Sequence, residues 1–511
     1  MNVAEHLARA SRNRADEPAI ILAKDNSQLS FFQLDWHTSA MAQGMKQMNI
    51  LPGDRVLILV RPGHDLIRLV WACFKRGALP VLIDPGMGLW NFIRCVQRTR
   101  PTVLAGIPVA HAISLLFPWA FTSVKNRIYA GRRVWLDGHT IAELIGTPGP
   151  YDTEEVEPDS PAAILFTSGS TGPAKGVLYS HGNFDAQVTS LRETYGYGEG
   201  QVDVAAFPPF SLFDAALGMT SVIPDLDAAN MSRTRPEAIA HAITHYEADN
   251  VFGSPVIWRT FAPWAKAAGL TFPTVKRLMI AGASMPPALV AQLGQLLPNG
   301  DVGTPYGATE ALPVAAVWGK DIVGRFAQRS ADGAGTCVGK PAVGMDVRIL
   351  ATSDTAVADA SVAEWVAPGT IGEICVKGAV VTTTYADNAN ATEAAKIPDG
   401  EGTWHRMGDL GYFDAEGFLW LCGRKSERVG ELYPDCIEGR FNPWCGRTAL
   451  VGVRGEPTLV VEGEKDLALE ARIRDTSIVK HVVFHPAFPV DRRHNSKIHR
   501  NTLAKWAARK V

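Results

Sequence analysis

Residues 55–85, RVLILVRPGHDLIRLVWACFKRGALPVLIDP, decide the fold. RVLILV and ALPVLIDP are short apolar runs of strand type. GHDLIRLVWACFKRG between them carries apolar residues at helical spacing and stops on a glycine. Strand, helix and strand in that order predict a βαβ unit and a parallel sheet. The same grammar returns in ADNVFGSP, VKRLMIAGAS and DVGTPYGATE, where strand-like runs end in small residues. Open α/β sheets hold their ligands at the carboxyl ends of parallel strands, so those small residues mark a binding edge.

At 511 residues the chain is longer than one hydrophobic core supports, and more than one domain is expected. After about Gly339 the character turns β-rich, in GMDVRIL, GTIGEICVKG and EGFLWLCG. A tail of mixed strand and helix signals then ends in the basic, helix-like SKIHRNTLAKWAARKV. The expected class is α/β, with a boundary near 423–428. Residues 1–423 form a large domain of parallel-rich sheets with helices and a β-rich subdomain, and residues 424–511 a small mobile α+β domain.

Hydrophobic residues make up 46% and charged residues 20% of the chain, which excludes a disordered protein. A net charge of −2 gives no reason to expect a nucleic acid partner. The seven cysteines are scattered without a C-x-x-C pair, against a disulfide framework or a zinc ribbon. Charges throughout the first twenty residues and the lack of a long apolar run predict a cytoplasmic protein that does not span a membrane. Residues 115–135, LLFPWAFTSVKNRIYAGRRVW, are aromatic and basic at once. They read either as a surface element meeting lipid or an acyl substrate, or as a helix and loop packed on the main domain.

Residues 164–184, ILFTSGSTGPAKGVLYSHGNF, place a dense run of Gly, Ser and Thr ahead of a lysine, between two apolar segments. Such a loop suits a polyphosphate: glycines admit backbone N–H groups to the oxygens, hydroxyls donate, and the ammonium offsets the charge. It is not a Walker A loop. Counted from Gly169, Ala174 stands where the second glycine belongs and Gly176 where the metal-binding hydroxyl belongs.

FTSGSTGPAKGV resembles the phosphate loop of the adenylate-forming superfamily of acyl-CoA synthetases, luciferases and peptide-synthetase adenylation domains. The resemblance continues in family order through AGASMP, YGATE, GTCVGKP, GDLGYFDAEGFLWLCGRK and NSKIHR. It implies ATP and Mg2+ and a set of roles. Thr167, Ser168, Gly169, Ser170, Thr171, Gly172 and Lys175 would hold the β- and γ-phosphates, and Gly282 and Ala283 would belong to the nucleotide site. Tyr306 would lie against adenine, Thr309 would bond the α-phosphate, and Glu310 would ligate magnesium. Asp409, read as a residue of a glycine-flanked turn, would accept from the ribose hydroxyls, and Arg424 would contact ribose or phosphate. Lys497 would swing into the site and bridge carboxylate and α-phosphate, turning on a hinge at Lys425 or Ser426.

Where acyl-CoA synthetases shape a pantetheine channel, this chain has the compact SERVGELYPDCIEGRFN. Its departing segments, among them DPGMGLWNFIRCVQRTRP, FPPFSLFDAALG, LYPDCIEGRFN and FPVDRRHNSKIHR, look most like the olefin β-lactone synthetases of bacterial long-chain olefin biosynthesis. That resemblance implies adenylation of a long-chain β-hydroxy (2-alkyl-3-hydroxyalkanoic) acid, then attack by its own hydroxyl to close a β-lactone. It also implies association with other enzymes of the pathway. FPPFSLFDAALGM and GSPVIWRTF are expected to line the acyl tunnel. His181 and Ser211 are weaker candidates for the site, His181 reading as packed structure. The competing functions are a long-chain fatty acyl-CoA ligase and a non-catalytic acyl- or nucleotide-binding protein.

Overall fold

The computed structural model describes the chain except residues 135, 148–150, 168–173, 228–232, 401 and 491–496. The opening stretch folds as its pattern predicts. Strand Arg55–Leu59 runs into helix His64–Arg76 and returns as strand Leu79–Leu82, paired in parallel with the first. The helix stops because Gly77 takes a left-handed φ of 65° and its N–H closes back on the last turn. Its inward face carries Trp71, almost wholly buried, whose truncation to alanine is expected to cost about 3–5 kcal/mol.

Among the described residues the strands form sheets of eight, fourteen and three. The eight-stranded sheet is built around this βαβ unit. Strand Pro161–Phe166 lies beside Leu79–Leu82 and forms an antiparallel hairpin with Gly176–Ser180. The strands that flank the glycine-rich run are thus antiparallel neighbours, whereas a P-loop runs from a strand into a helix, in agreement with the missing Walker spacing. Strand Thr384–Tyr385 pairs with the outer side of Gly176–Ser180 and brings a distant segment beside it.

The largest sheet has two halves. Strands Thr220–Ile223, Val202–Ala205, Asn250–Gly253, Arg277–Ile280 and Asp301–Ala308 lie side by side in parallel. Antiparallel pairing then carries the sheet on through Ala311–Trp318, Thr336–Pro341 and Leu419–Arg424 to Gly402–Phe413. The change of pairing begins at Ala311–Trp318, ahead of the β-rich sequence that follows Gly339. The third sheet, Thr448–Val453, Glu456–Glu462 and His481–His485, packs with helices Pro434–Cys445 and Arg500–Ala507 around apolar clusters of its own. The terminal helix begins at Arg500, later than the basic pattern suggested. No described helix is long and apolar enough to cross a membrane.

Candidate active site

The edge marked by small residues is where the candidate groups meet. Strand Asp301–Ala308 turns into Ala311–Trp318 through Thr309 and Glu310, with a register shift between Tyr306 and Ala308. Gly307 is required there: a Cβ would lie 2.7 Å from the Ala311 carbonyl oxygen. Glu310 thus sits in a hairpin corner, and Gly282, at φ 109°, begins the loop that follows strand Arg277–Ile280.

Asp409 does not lie in a turn. It belongs to strand Gly402–Phe413, directly opposite Arg424 on Leu419–Arg424, because the antiparallel ladder runs through both Gly-flanked segments. That register sets Arg424 Nε 3.1 Å from Asp409 Oδ1. The Tyr306 phenol donates to Oδ2 at 2.7 Å. Each oxygen keeps a further lone pair, so the carboxylate can still accept two hydroxyls. Burial pushes the Asp409 carboxyl above its usual value, against the opposing influence of Arg424, the Tyr306 hydrogen bond and Lys497. Arg424 is in turn raised, chiefly by the Asp409 charge.

Tyr385 forms the second junction. Its hydroxyl donates to Glu310 Oε1 at 2.7 Å, and the Lys175 ammonium lies 4.9 Å from its ring centroid. Thr382 fixes the Glu310 backbone, donating to its carbonyl from both N–H (2.9 Å) and Oγ1 (3.1 Å). Behind them the buried Lys396 ammonium donates to the Thr382 carbonyl. Burial pushes Lys396 down to about 7, with Glu310 resisting and Lys175 adding to the fall. The Tyr179 hydroxyl holds the carbonyl of Thr309. Tyr179, Thr382, Tyr385 and Lys396 lie outside the expected site; their only sequence signal is polar residues among apolar strands.

Thr167 and Lys175 close the neck of the glycine-rich loop. The Thr167 N–H donates to the Lys175 carbonyl at 3.0 Å, and the Lys175 N–H to Thr167 Oγ1 at 3.3 Å. Ser168, Gly169, Ser170, Thr171 and Gly172, assigned to phosphate binding, lie outside the described residues. Lys497 lines the same cavity as Lys175, Thr309, Glu310, Asp409 and Arg424, and its charge acts on Asp409. Arg500, three residues on, is tied to Glu427 at 2.8 Å and to both oxygens of Glu438. These bonds anchor the segment that carries Lys497. Lys425 is bonded to Glu373 at 3.1 Å and to the Ser353 carbonyl at 2.9 Å.

The cavity measures about 2570 Å³ and joins this polar end to an apolar arm walled by Phe184, Phe207, Leu212, Phe213 and Phe252. Of the two expected tunnel segments, 207–219 supplies wall residues. In 253–261 only Ser254 and Arg259 reach the cavity. Val256, Ile257, Trp258 and Phe261 face the core instead, since helix Pro255–Ala267 turns its apolar stripe inward. His181 is buried, its Nδ1 accepts from the Val3 N–H at 3.2 Å, and burial lowers it to about 4. Ser211 Oγ donates to the Pro208 carbonyl. Both serve local structure.

A metal ion would find one favourable anchor. Glu310 offers a hard carboxylate already oriented by Tyr385, and no group of three His, Cys, Asp or Glu side chains suited to a metal occurs among the described residues. This fits magnesium, which takes one or two carboxylates together with phosphate oxygens rather than an all-protein cage.

The family model described as AMP-binding enzyme matches residues 7–386. The chain belongs to the AMP-binding enzyme family. Like other members of that family it is an adenylate-forming ligase. It is 41% identical to an olefin beta-lactone synthetase of Stenotrophomonas maltophilia, over 99% of this chain and 98% of the relative. It is 40% identical to an olefin beta-lactone synthetase of Xanthomonas campestris pv. campestris, over 99% and 97%. In fold this AMP-binding enzyme is similar to the amide bond synthetase McbA from Marinactinospora thermotolerans, with a TM-score of 0.80, 22% identity and 99% of each chain covered.

Proposed function

We propose that this enzyme joins a long-chain β-hydroxy (2-alkyl-3-hydroxyalkanoic) acid to AMP and then closes the acyl group to a β-lactone, releasing pyrophosphate and AMP. The observation that carries this reading is the 41% identity, over nearly the whole of both chains, to an olefin beta-lactone synthetase. The apolar arm leading into the polar end of one cavity supports a long-chain acid as the substrate.

In the first step a carboxylate oxygen attacks the α-phosphorus of ATP and the bond to the bridging oxygen of pyrophosphate breaks. Two anions must approach each other, so cations and donors do most of the catalytic work. Lys497 bridges the carboxylate and the α-phosphate, Thr309 donates to the α-phosphate, and Lys175 with the loop 167–172 steadies the leaving pyrophosphate. Asp409 accepts from the ribose hydroxyls, Arg424 holds Asp409 and meets ribose or phosphate, and Tyr306, Gly282 and Ala283 flank the adenine. Glu310 would hold Mg2+, which supplies charge neutralisation at the phosphates. In the second step the β-hydroxyl oxygen attacks the acyl carbon and gives up its proton to solvent, and AMP leaves with the carboxyl oxygen that carried it. The nucleophile is tethered, so no channel for a second substrate is needed.

Residues 424–511 act as the mobile unit and residues 1–423 as the body. The Lys425 side chain is bonded to Glu373 and Ser353 of the body, which supports Ser426 rather than Lys425 as the pivot. The test compares a β-hydroxy acid with the same acid lacking the hydroxyl. Multiple-turnover AMP release without CoA only for the hydroxylated acid supports the two-step reading. Equal turnover for both, or turnover that needs CoA, refutes it.

A further inference from the structure

From the distribution of charge and exposed apolar surface we infer that the face formed by helices Leu89–Thr99 and Pro108–Leu116 and the turn Pro118–Ala120 docks on an anionic phospholipid surface and opens the acyl cavity toward it.

Between Asp84 and Asp137 the chain contains no acidic residue but seven Arg or Lys, in a protein whose net charge over its whole length is −2. The same block supplies six of the fifteen exposed large hydrophobic side chains among the described residues. Trp90 is 64% exposed and Leu116 73%, with Leu89, Val109, Leu115 and Trp119 also outside. Phe117 joins the aromatics of the first helix and the turn: its ring centroid lies 5.9 Å from that of Trp90 and 6.4 Å from that of Trp119, with Leu115 and Leu116 preceding it in the chain.

Arg94 stands one helical turn from Trp90, and Arg132 follows the strand end that lies beside the start of the second helix. Both are exposed, as is Lys125. A contiguous patch of exposed aromatic and aliphatic side chains marks an interaction surface. Tryptophans with arginines at its border match the chemistry of an anionic headgroup layer over acyl chains.

The patch is continuous with the cavity. Leu89 and Val109 are exposed and also line it, and Phe92 and Ile113 carry the wall inward. A sparingly soluble acid could pass from the bilayer to the site without crossing water. This purpose rests on the long-chain acid reading, whereas the docking itself is measured apart from it.

The experiment is flotation of the full chain with vesicles of phosphatidylcholine alone and of phosphatidylcholine with an equal share of phosphatidylglycerol. The wild type is expected to float with the anionic vesicles at low salt and to be released by high salt. Each cation near the surface contributes roughly fivefold to binding, so the double variant Arg94→Glu, Arg132→Glu is expected to bind about twentyfold or more weakly. Leu116→Ser with Trp119→Ser is expected to lose flotation, and each variant to keep the wild-type melting temperature. Absence of wild-type flotation on anionic vesicles, equal binding to neutral ones, or unchanged binding by the folded variants overturns the inference. Intact flotation with no ATP–pyrophosphate exchange for any long-chain acid refutes the function reading instead.

Discussion

Tyr306 and Asp409 stand 103 residues apart in the chain, yet the phenol of one donates to a carboxylate oxygen of the other at 2.7 Å. The bond favours the charged carboxylate in a buried site that opposes it. Tyr306→Phe removes that support, so the Asp409 carboxyl rises further. The acid limb of ATP binding is expected to move to higher pH, with binding near neutrality weakened by about 1.5–3 kcal/mol. Nucleotide titrations from pH 5 to 8 check this, and an unmoved limb contradicts it.

The Glu310–Tyr385 hydrogen bond orients the carboxylate assigned to magnesium. Tyr385→Phe keeps the ring beneath Lys175 and deletes only the donor. Exchange of pyrophosphate into ATP is expected to fall about tenfold to a hundredfold at low magnesium and to recover largely as magnesium is raised. A loss that magnesium cannot reverse would place the role of Tyr385 elsewhere.

Lys396 gives stability a pH dependence of definite sign. Its folded-state value is lowered to about 7 from 10.5 by burial, so between those values the unfolded chain binds the extra proton. The destabilisation is full below about pH 7 and fades as pH rises toward 10.5. Lys396→Met is expected to remove this rise. Thermal melts at pH 7 and pH 9, compared between wild type and variant, measure the difference in slope; equal slopes contradict the assignment.

Arg500 is paired with Glu427 and with Glu438, which is itself buried beside the Leu450 strand. Arg500→Met leaves those carboxylates without their cation, a loss of about 3–5 kcal/mol for a buried pair. Hydrogen exchange is expected to accelerate in residues 434–507 and to stay unchanged in the strands around Arg55–Leu59.

What the chain discloses in advance follows the range of the interactions. The βαβ unit at 55–82 was legible because its strands and helix are adjacent and each carries its own period. Tyr306, Thr309, Glu310 and Arg424 were legible because each lies in a short characteristic run. Asp409 stands out on the same ground, but its flanking glycines suggest a turn where the chain forms a strand, since glycines look alike in a turn and in a strand that approaches another backbone. Tyr385 was not legible: it reaches Glu310 from 75 residues away through an added edge strand. The helix Pro255–Ala267 shows the opposite error, an aromatic-rich run that fills the core rather than lining the tunnel.

The measurement that tests the central claim most directly is mass analysis of the products formed from a racemic long-chain β-hydroxy acid with ATP and magnesium, with and without CoA. Lactone closure yields a neutral product lighter than the acid by one water, formed together with AMP and independent of CoA. A thioester that appears only when CoA is present, with no product lighter by one water, would contradict it.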